Sequence, residues 1–453
     1  MQNYVCFNNH QEIVDFIEKY KKEASQKNYV KGPETVSIKN LKNNDDLYLL
    51  SELPLSHVHT ISFKDCSFDK PSQNKLFKRH GFFMNVRHWE FLSCEITKEI
   101  LKTFFINKAT KSVESIVVEP RGDGVEIFKI LSKWKKLQNV TRFAFIGSRI
   151  GKEELDGFSQ APIFQRLEHL DLSHTKFYDD GLTDFITKFN NDNIRGIYLQ
   201  STGISDATAK IILTNKSFSN LEVLDLSNNF SMDCVVTGLS ESKRMNHIQE
   251  LYLRNTQLSM GPLDELFSSH NFSSFKRLDV SNNYNLRDDL SLSLLAKPFI
   301  RKLEYLNLEN TGLTNLSLFA LILNSESGHL KNLKSLDISN NPEVHVAEAF
   351  NTITSNTHLI CDEVFKVKSL SEDLKYKAES EFKIRESPFI RSLHTLHMAN
   401  LSLSPDLKAN LEKRYQVSVE LEPVVFKDYS DYMEHINVTL HDLQHQEIAS
   451  PKA

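Results

Sequence analysis

Glycine is scarce, with 14 residues in 453, too few for phosphate-cradling loops. The motifs GxxxxGK(S/T), HExxH and GxSxG are all absent, so neither a nucleotide-driven module nor the common hydrolase signatures are present. Five cysteines (Cys6, Cys66, Cys94, Cys234, Cys361) lie far apart with no CxxC pair. This excludes a zinc ribbon, a dithiol redox centre and a disulfide framework, and it points to a reducing, cytosolic site of action. No apolar run approaches the ~18 residues of a membrane span. Met1–Cys6 carries neither a basic nor an apolar segment, so no secretory signal is expected. Positive charge is not in excess: 54 Lys+Arg stand against 59 Asp+Glu, a net charge of -5. Nucleic acid is therefore not an expected partner. Apolar residues at 40% and 30 phenylalanines leave ample material for a core.

What the chain has instead is a period. The pattern apolar-x-x-apolar-x-apolar-x-x-(Asn/Thr/Cys) begins at Leu167 (LEHLDLSHT), Ile194 (IRGIYLQST), Leu221 (LEVLDLSNN), Ile248 (IQELYLRNT), Phe275 (FKRLDVSNN), Leu303 (LEYLNLENT) and Leu333 (LKSLDISNN). Weaker copies begin at Val58, Val86, Val113, Val140 and Leu393, and a partial one surrounds Val36. From Val86 to Phe275 each step is 27 residues. The alternation Leu170-Asp171-Leu172 reads as a short strand with one face buried, and the second half of each unit reads as a helix. An apolar residue three positions before most copies (Leu137, Phe164, Phe218, Met245, Phe272, Ile300, Leu330, Ile390) fits an internal spine. The ninth position (Cys66, Cys94, Thr175, Thr202, Asn229, Thr256, Asn283, Thr311, Asn341) should turn inward and bond backbone groups of neighbouring turns. At Arg121, within Arg121-Gly122-Asp123, no such bonding is possible, so a displaced loop is expected there rather than an adhesion motif.

This pattern resembles the leucine-rich-repeat family, and its length is similar to that of the ribonuclease-inhibitor-like class. The resemblance implies an α/β fold: a curved solenoid, or horseshoe, with a concave parallel sheet and convex helices. Residues 1–32 read as a helical cap and 33–421 as an array of about 13 repeats. A degenerate copy is expected near 345–392, placing Cys361 in it as a buried thiol, and 422–453 read as a second cap with a polar tail.

Function in such arrays is expected on the concave face. Its fifth repeat position runs Asp171, Tyr198, Asp225, Tyr252, Asp279, Asn307, Asp337, an acid–tyrosine alternation with a 54-residue super-period as far as Asp279. Arg254 and Glu309 sit at the seventh position. Two readings stand side by side. The aspartates are structural acceptors for neighbouring strands, or the tyrosines and carboxylates together grip a protein partner with a basic surface. Leu92, Val117, Ala144 and Ile146 make the N-terminal third of that face apolar. No cofactor or metal is expected, and regular spacing of carboxylates argues for binding rather than catalysis. In Lys/Asn/Ile/Phe-rich composition and imperfect repeats the chain resembles effectors that intracellular bacteria such as Legionella inject into host cells, the tail then serving as translocation signal. It also resembles the Ran-activating GTPase-activating family in repeat length, without that family's Asn-x-Ile-Gly loops. Ribonuclease inhibitors have a cysteine density absent here. Bacterial repeat-bearing ubiquitin ligases have a Cys-x-Asp motif whose spacing Cys361-Asp362-Glu363 lacks.

Overall fold

The computed structural model describes residues 4–26, 33–40, 57–68, 85–98, 101, 112–134, 137–177, 180–269, 274–326, 330, 332–345, 395–397 and 418–420. The strands are β1 (Tyr4–Phe7), β2 (Thr35–Lys39), β3 (Thr60–Lys64), β4 (His88–Cys94), β5 (Ser115–Pro120), β6 (Arg142–Phe145), β7 (Arg149–Ile150), β8 (His169–Asp171) and β9 (Lys176–Phe177). They continue as β10 (Gly196–Tyr198), β11 (Val223–Asp225), β12 (Glu250–Tyr252), β13 (Arg277–Asp279), β14 (Tyr305–Asn307), β15 (Ser335–Asp337), β16 (Thr395–His397) and β17 (Ser418–Glu420). Apart from β7 and β9, which pair with each other, these form one open, fifteen-stranded sheet in chain order. Each pair is parallel. In every repeat copy, strong or weak, the strand starts two residues after the pattern does, as at Leu167 and His169.

Helices line the other side: α1 (His10–Gln26), α2 (Val125–Ser132), α3 (Lys152–Ser159), α4 (Gly181–Thr187), α5 (Asp206–Thr214), α6 (Asp233–Glu241), α7 (Met260–Ser268), α8 (Arg287–Leu295) and α9 (Asn315–Glu326). Helices are ~10 Å wide and strands ~4.8 Å apart, so stacking one of each per coil bends the array into a leucine-rich-repeat-like solenoid. No described helix is long and apolar enough to cross a membrane.

Between the layers lies the spine: Leu137, Phe164, Phe218, Met245, Ile300 and Leu330 are all buried, while Phe272 and Ile390 lie outside the described residues. Phenylalanine rings continue the contact from coil to coil. Phe158 meets Phe164 at 5.4 Å, Phe164 meets Phe189 at 4.9 Å, and Phe189 meets Phe218 at 4.6 Å between centroids. Each such pair adds ~1 kcal/mol beyond the area it buries.

The ninth-position side chains are buried and bonded across coils. Asn229 donates to the carbonyls of Leu199 (2.8 Å) and Leu226 (2.9 Å) and accepts from the N–H of Thr202 (3.1 Å) and Gly203 (2.9 Å). Asn283 and Asn341 repeat this towards Thr256 and Thr311. Thr175 donates to Phe145 O at 3.1 Å, and Thr202, Thr256 and Thr311 donate to the carbonyl three residues back. The Cys66 and Cys94 thiols occupy the same place, directed at Ile38 O and Phe63 O, and neither is in a disulfide. The neighbouring Cys66 thiol, then burial, pushes the Cys94 thiol well up.

Three expectations are modified. The N-terminal segment is not helical alone, because β1 joins the sheet edge before α1 begins. Of the fifteen strands, fourteen lie within 33–421, where about 13 repeats were expected. Where a degenerate copy was expected near 345–392, β15 pairs directly with β16, Leu336 opposite Leu396. Cys361, the rest of that segment from 346, and residues 422–453 lie outside the described residues. At Arg121 the displacement is a register shift between β4 and β5 that sets Pro120 opposite Cys94. The Arg121 N–H still bonds Cys94 O at 2.9 Å, and its exposed side chain pairs with Asp65 at 3.4 Å.

Candidate functional site: the concave wall

Side chains alternate across a strand, so the third, fifth and seventh repeat positions face the concave side. Hydrogen bonding there accounts for the 54-residue super-period. Asp171, Asp225 and Asp279 each turn one carboxylate oxygen onto the N–H two residues ahead, that of Ser173, Ser227 and Ser281, at 2.9 Å. Asp337 does the same for Ser339 at 2.8 Å. The aspartates thus cap the end of their own strand, and Asp279 also accepts from the neighbouring strand, as expected of such acceptors, through Asn307. The serine then serves the next coil: Ser173 Oγ accepts from the Gln200 N–H (3.2 Å) and Ser227 Oγ from the Arg254 N–H (3.3 Å). Finally the ladder Asn of an aspartate coil accepts the N–H of the preceding Thr. The Asp225–Ser227–Asn229 coil thus supplies side-chain acceptors to itself and to both Tyr–x–Thr neighbours, whereas the Asp171 coil ends in Thr175, which donates instead.

Electrostatics favour the same alternation. Asp171, Asp225 and Asp279 are no more than 5% exposed. Burial is the largest cause of the rise in their carboxyl pKa, to about 7 for Asp171 and about 6 for Asp225. Two buried carboxylates on adjacent coils, ~4.8 Å apart, would repel by ~3.5 kcal/mol at an effective dielectric of 20, and at twice that spacing by about half as much. A neutral Tyr198, Tyr252 or Asn307 separates each pair. Asn307 caps the Glu309 N–H at 2.9 Å and donates to the second oxygen of Asp279 at 3.2 Å.

Between the acids stand the aromatic and charged groups. Tyr198 is half-buried, its ring 6.4 Å from that of His169. Burial lowers the His169 pKa to about 4, with Arg142 and Arg195 adding to the shift. Tyr252 is buried and donates its hydroxyl to Glu250 at 2.8 Å. Arg277 lies 5.0 Å over the Tyr305 ring, a contact of ~1–2 kcal/mol when desolvated. Arg254 pairs with Glu309 at 2.8 Å and reaches Ser281 Oγ, both of the pair partly exposed. At the N-terminal end Val117, Ala144 and Ile146 form an apolar cluster of their own, separate from the main core.

Sequence reasoning puts the fifth-position row on this face together with Glu250 and Arg277 of the third position and Gln200 of the seventh. It missed a second inter-coil ladder on the helical side. There Asp206 caps the Val235 N–H of α6 at 2.8 Å, and Asp288 accepts from Thr314 N at 2.9 Å ahead of α9. A carboxylate at the helix start of each preceding coil is the signal that could have found it. Among the described residues no group of three or more His, Cys, Asp or Glu could hold a metal ion.

Coil length, parallel pairing and the inward Asn/Thr ladder define the chain as a leucine-rich-repeat-like solenoid. No family model matches it, and no curated protein matches it in sequence. Among solved structures it is similar to a chain of the complex described as Rad7 and Elc1 in yeast, at 12% identity and a TM-score of 0.49, over 94% of this chain and 89% of that one.

Proposed function

We propose that this chain is a non-catalytic protein-interaction module whose concave wall receives a protein partner. The observation that carries this reading is the division of labour along the wall. The aspartate coils have their polar side chains buried and engaged in capping, whereas the intervening coils present the partly exposed Tyr198, Arg254 and Glu309. Recognition groups then repeat every second coil, about 10 Å apart, on a sheet that does not need to move. Tyrosine and arginine are the side chains that contribute most per contact at protein interfaces. The acids add charge complementarity for a basic partner. The charged groups are spread by the coil period rather than gathered, which suits a surface and not a reaction centre.

Capture from eukaryotic cell lysate by the immobilised chain, read by mass spectrometry, tests the proposal. Proteins retained by the parent should be lost from the Tyr198→Ala, Arg254→Ala double variant. Both side chains are partly exposed, so the variant should melt with the parent. An identical captured set from a folded double variant would reject the concave wall as the binding surface. The setting we propose, an effector delivered into a host cell, draws on composition, imperfect repeats, few cysteines and the polar tail. Unchanged delivery after removal of the last ~20 residues would count against the tail as its signal.

A further inference from the structure

A second surface runs along the rim where the strands end, outside the concave wall. It is built from the tenth repeat position, the residue after the ladder position. In two consecutive coils that residue is Arg149 and Lys176, which lie side by side in register where β7 pairs with β9. Both are exposed, and among the described residues neither has an ion-pair partner. Further along, every second coil places an exposed apolar residue there. Phe230 is 68% exposed, Tyr284 is 50% exposed, and Pro342 is exposed.

The coils between carry no apolar side chain there. Gly203, Gln257 and Gly312 occupy the same position with positive φ of 70°, 55° and 78°, and the polar side chain of Gln257 is exposed between Phe230 and Tyr284. A side chain at Gly312 is excluded outright, because its Cβ would sit 2.5 Å from the Tyr284 carbonyl oxygen. The row is therefore a basic head followed by apolar teeth at a two-coil interval of ~9.6 Å.

That interval selects the conformation of what it can hold. A polyproline II segment has three residues per turn at ~3.1 Å each, so every third residue returns to one face after ~9.3 Å. An α-helix returns after seven residues and ~10.5 Å, and slips by ~2 Å over the two tooth intervals. A β-strand presents one face every ~6.8 Å and misses the second tooth. Lys176 lies two coils, one further interval, before Phe230, so a residue three positions beyond the last seated one meets the basic head.

We propose that this rim is a docking ridge for an extended, proline-rich segment of a partner protein with a carboxylate three residues beyond its seated prolines. Aromatic rings receiving a preformed polyproline II helix lose little conformational entropy on binding, and the Arg149–Lys176 pair supplies the charge complementarity.

The test uses capped ten-residue peptides, one glutamate followed by nine prolines and its reverse, titrated calorimetrically into the full chain. Saturable binding is expected, at least tenfold weaker for Phe230→Ala and for Tyr284→Ala, and unchanged for Tyr198→Ala. Lys176→Glu should weaken the glutamate peptides several-fold while leaving an all-proline peptide unaffected. The truncated side chains are largely in solvent, and unchanged melting of each variant establishes that the fold is retained. No saturable binding would overturn the proposal. So would equal binding by a Gly/Ser peptide of the same length, preference for a helical peptide with leucines at heptad spacing, or indifference to both aromatic substitutions.

Discussion

Asp171 offers the sharpest test of how the wall is built. Its carboxyl has one oxygen on the Ser173 N–H and the other buried without a hydrogen-bond partner. Burial raises its pKa from 3.8 to about 7. Between about pH 4 and pH 7 the folded chain keeps a proton that the unfolded chain releases, so stability falls as pH rises across that window and is level above it. Roughly three pKa units at ~1.4 kcal/mol each set a ceiling of ~4 kcal/mol, and relaxation of the surroundings reduces the expected effect to ~1–2 kcal/mol. Asp171→Asn removes the ionisation and retains the capping oxygen, as Asn307 already does for Glu309 in the same row. The variant should match the parent near pH 4 and exceed it by ~1–2 kcal/mol at pH 8. Hydrogen exchange of the β8 and β10 amides is the suitable assay, because long repeat arrays unfold locally and not in one step. Asp225 and Asp279 titrate in both proteins, so the difference between the two curves isolates Asp171. Parallel curves from pH 4 to pH 8 would refute the reasoning.

Asn229→Ala should be among the most damaging single changes, since it strands two carbonyls and two N–H groups in a fully buried position. A loss of ~3–5 kcal/mol is expected, against ~1 kcal/mol for Thr202→Val, by urea unfolding monitored in the surrounding coils. Deleting residues 248–274 brings the Asp225 and Asp279 coils together, whereas deleting 221–274 preserves the alternation. At pH 8 the shorter chain should be the more stable, with the difference shrinking below pH 5 as the acids protonate; the reverse order would show that the alternation has no electrostatic basis.

The sequence revealed the coil because burial in a solenoid is strictly periodic. One apolar residue out of place leaves a gap against two neighbours, so even weak copies such as Val113 keep the strand two residues on. Where the period lapses, so does legibility. The strand Tyr4–Phe7 has only Val5 and Phe7 at alternate positions and borrows its pairing from β2, which no local pattern announces. The 60-residue interval from Leu333 to Leu393 divides evenly by 30, yet β15 and β16 are neighbours, because division by the period alone does not dictate sheet order. The acid–tyrosine alternation was visible, but its cause was not. That a carboxylate caps its own strand end, and that its serine caps the next coil, depends on which N–H groups the parallel pairing leaves unmatched.

The two surfaces follow from the same alternation. An Asp–Ser–Asn coil has its concave polar groups engaged in holding three coils together, so it has none to offer a partner on that face. Its ladder Asn, however, fixes the loop that follows, and the residue after it is held out at the rim, as Phe230 and Tyr284 are. A Tyr–x–Thr coil is the complement. Its concave side chains are free to vary because neighbouring coils satisfy part of its backbone, and its rim residue, Gly203 or Gln257, has positive φ and no apolar side chain. Each face thus presents its distinctive groups at a spacing of two coils, on opposite members of the pair. Changes at one surface need not disturb the other, because the two share no residue.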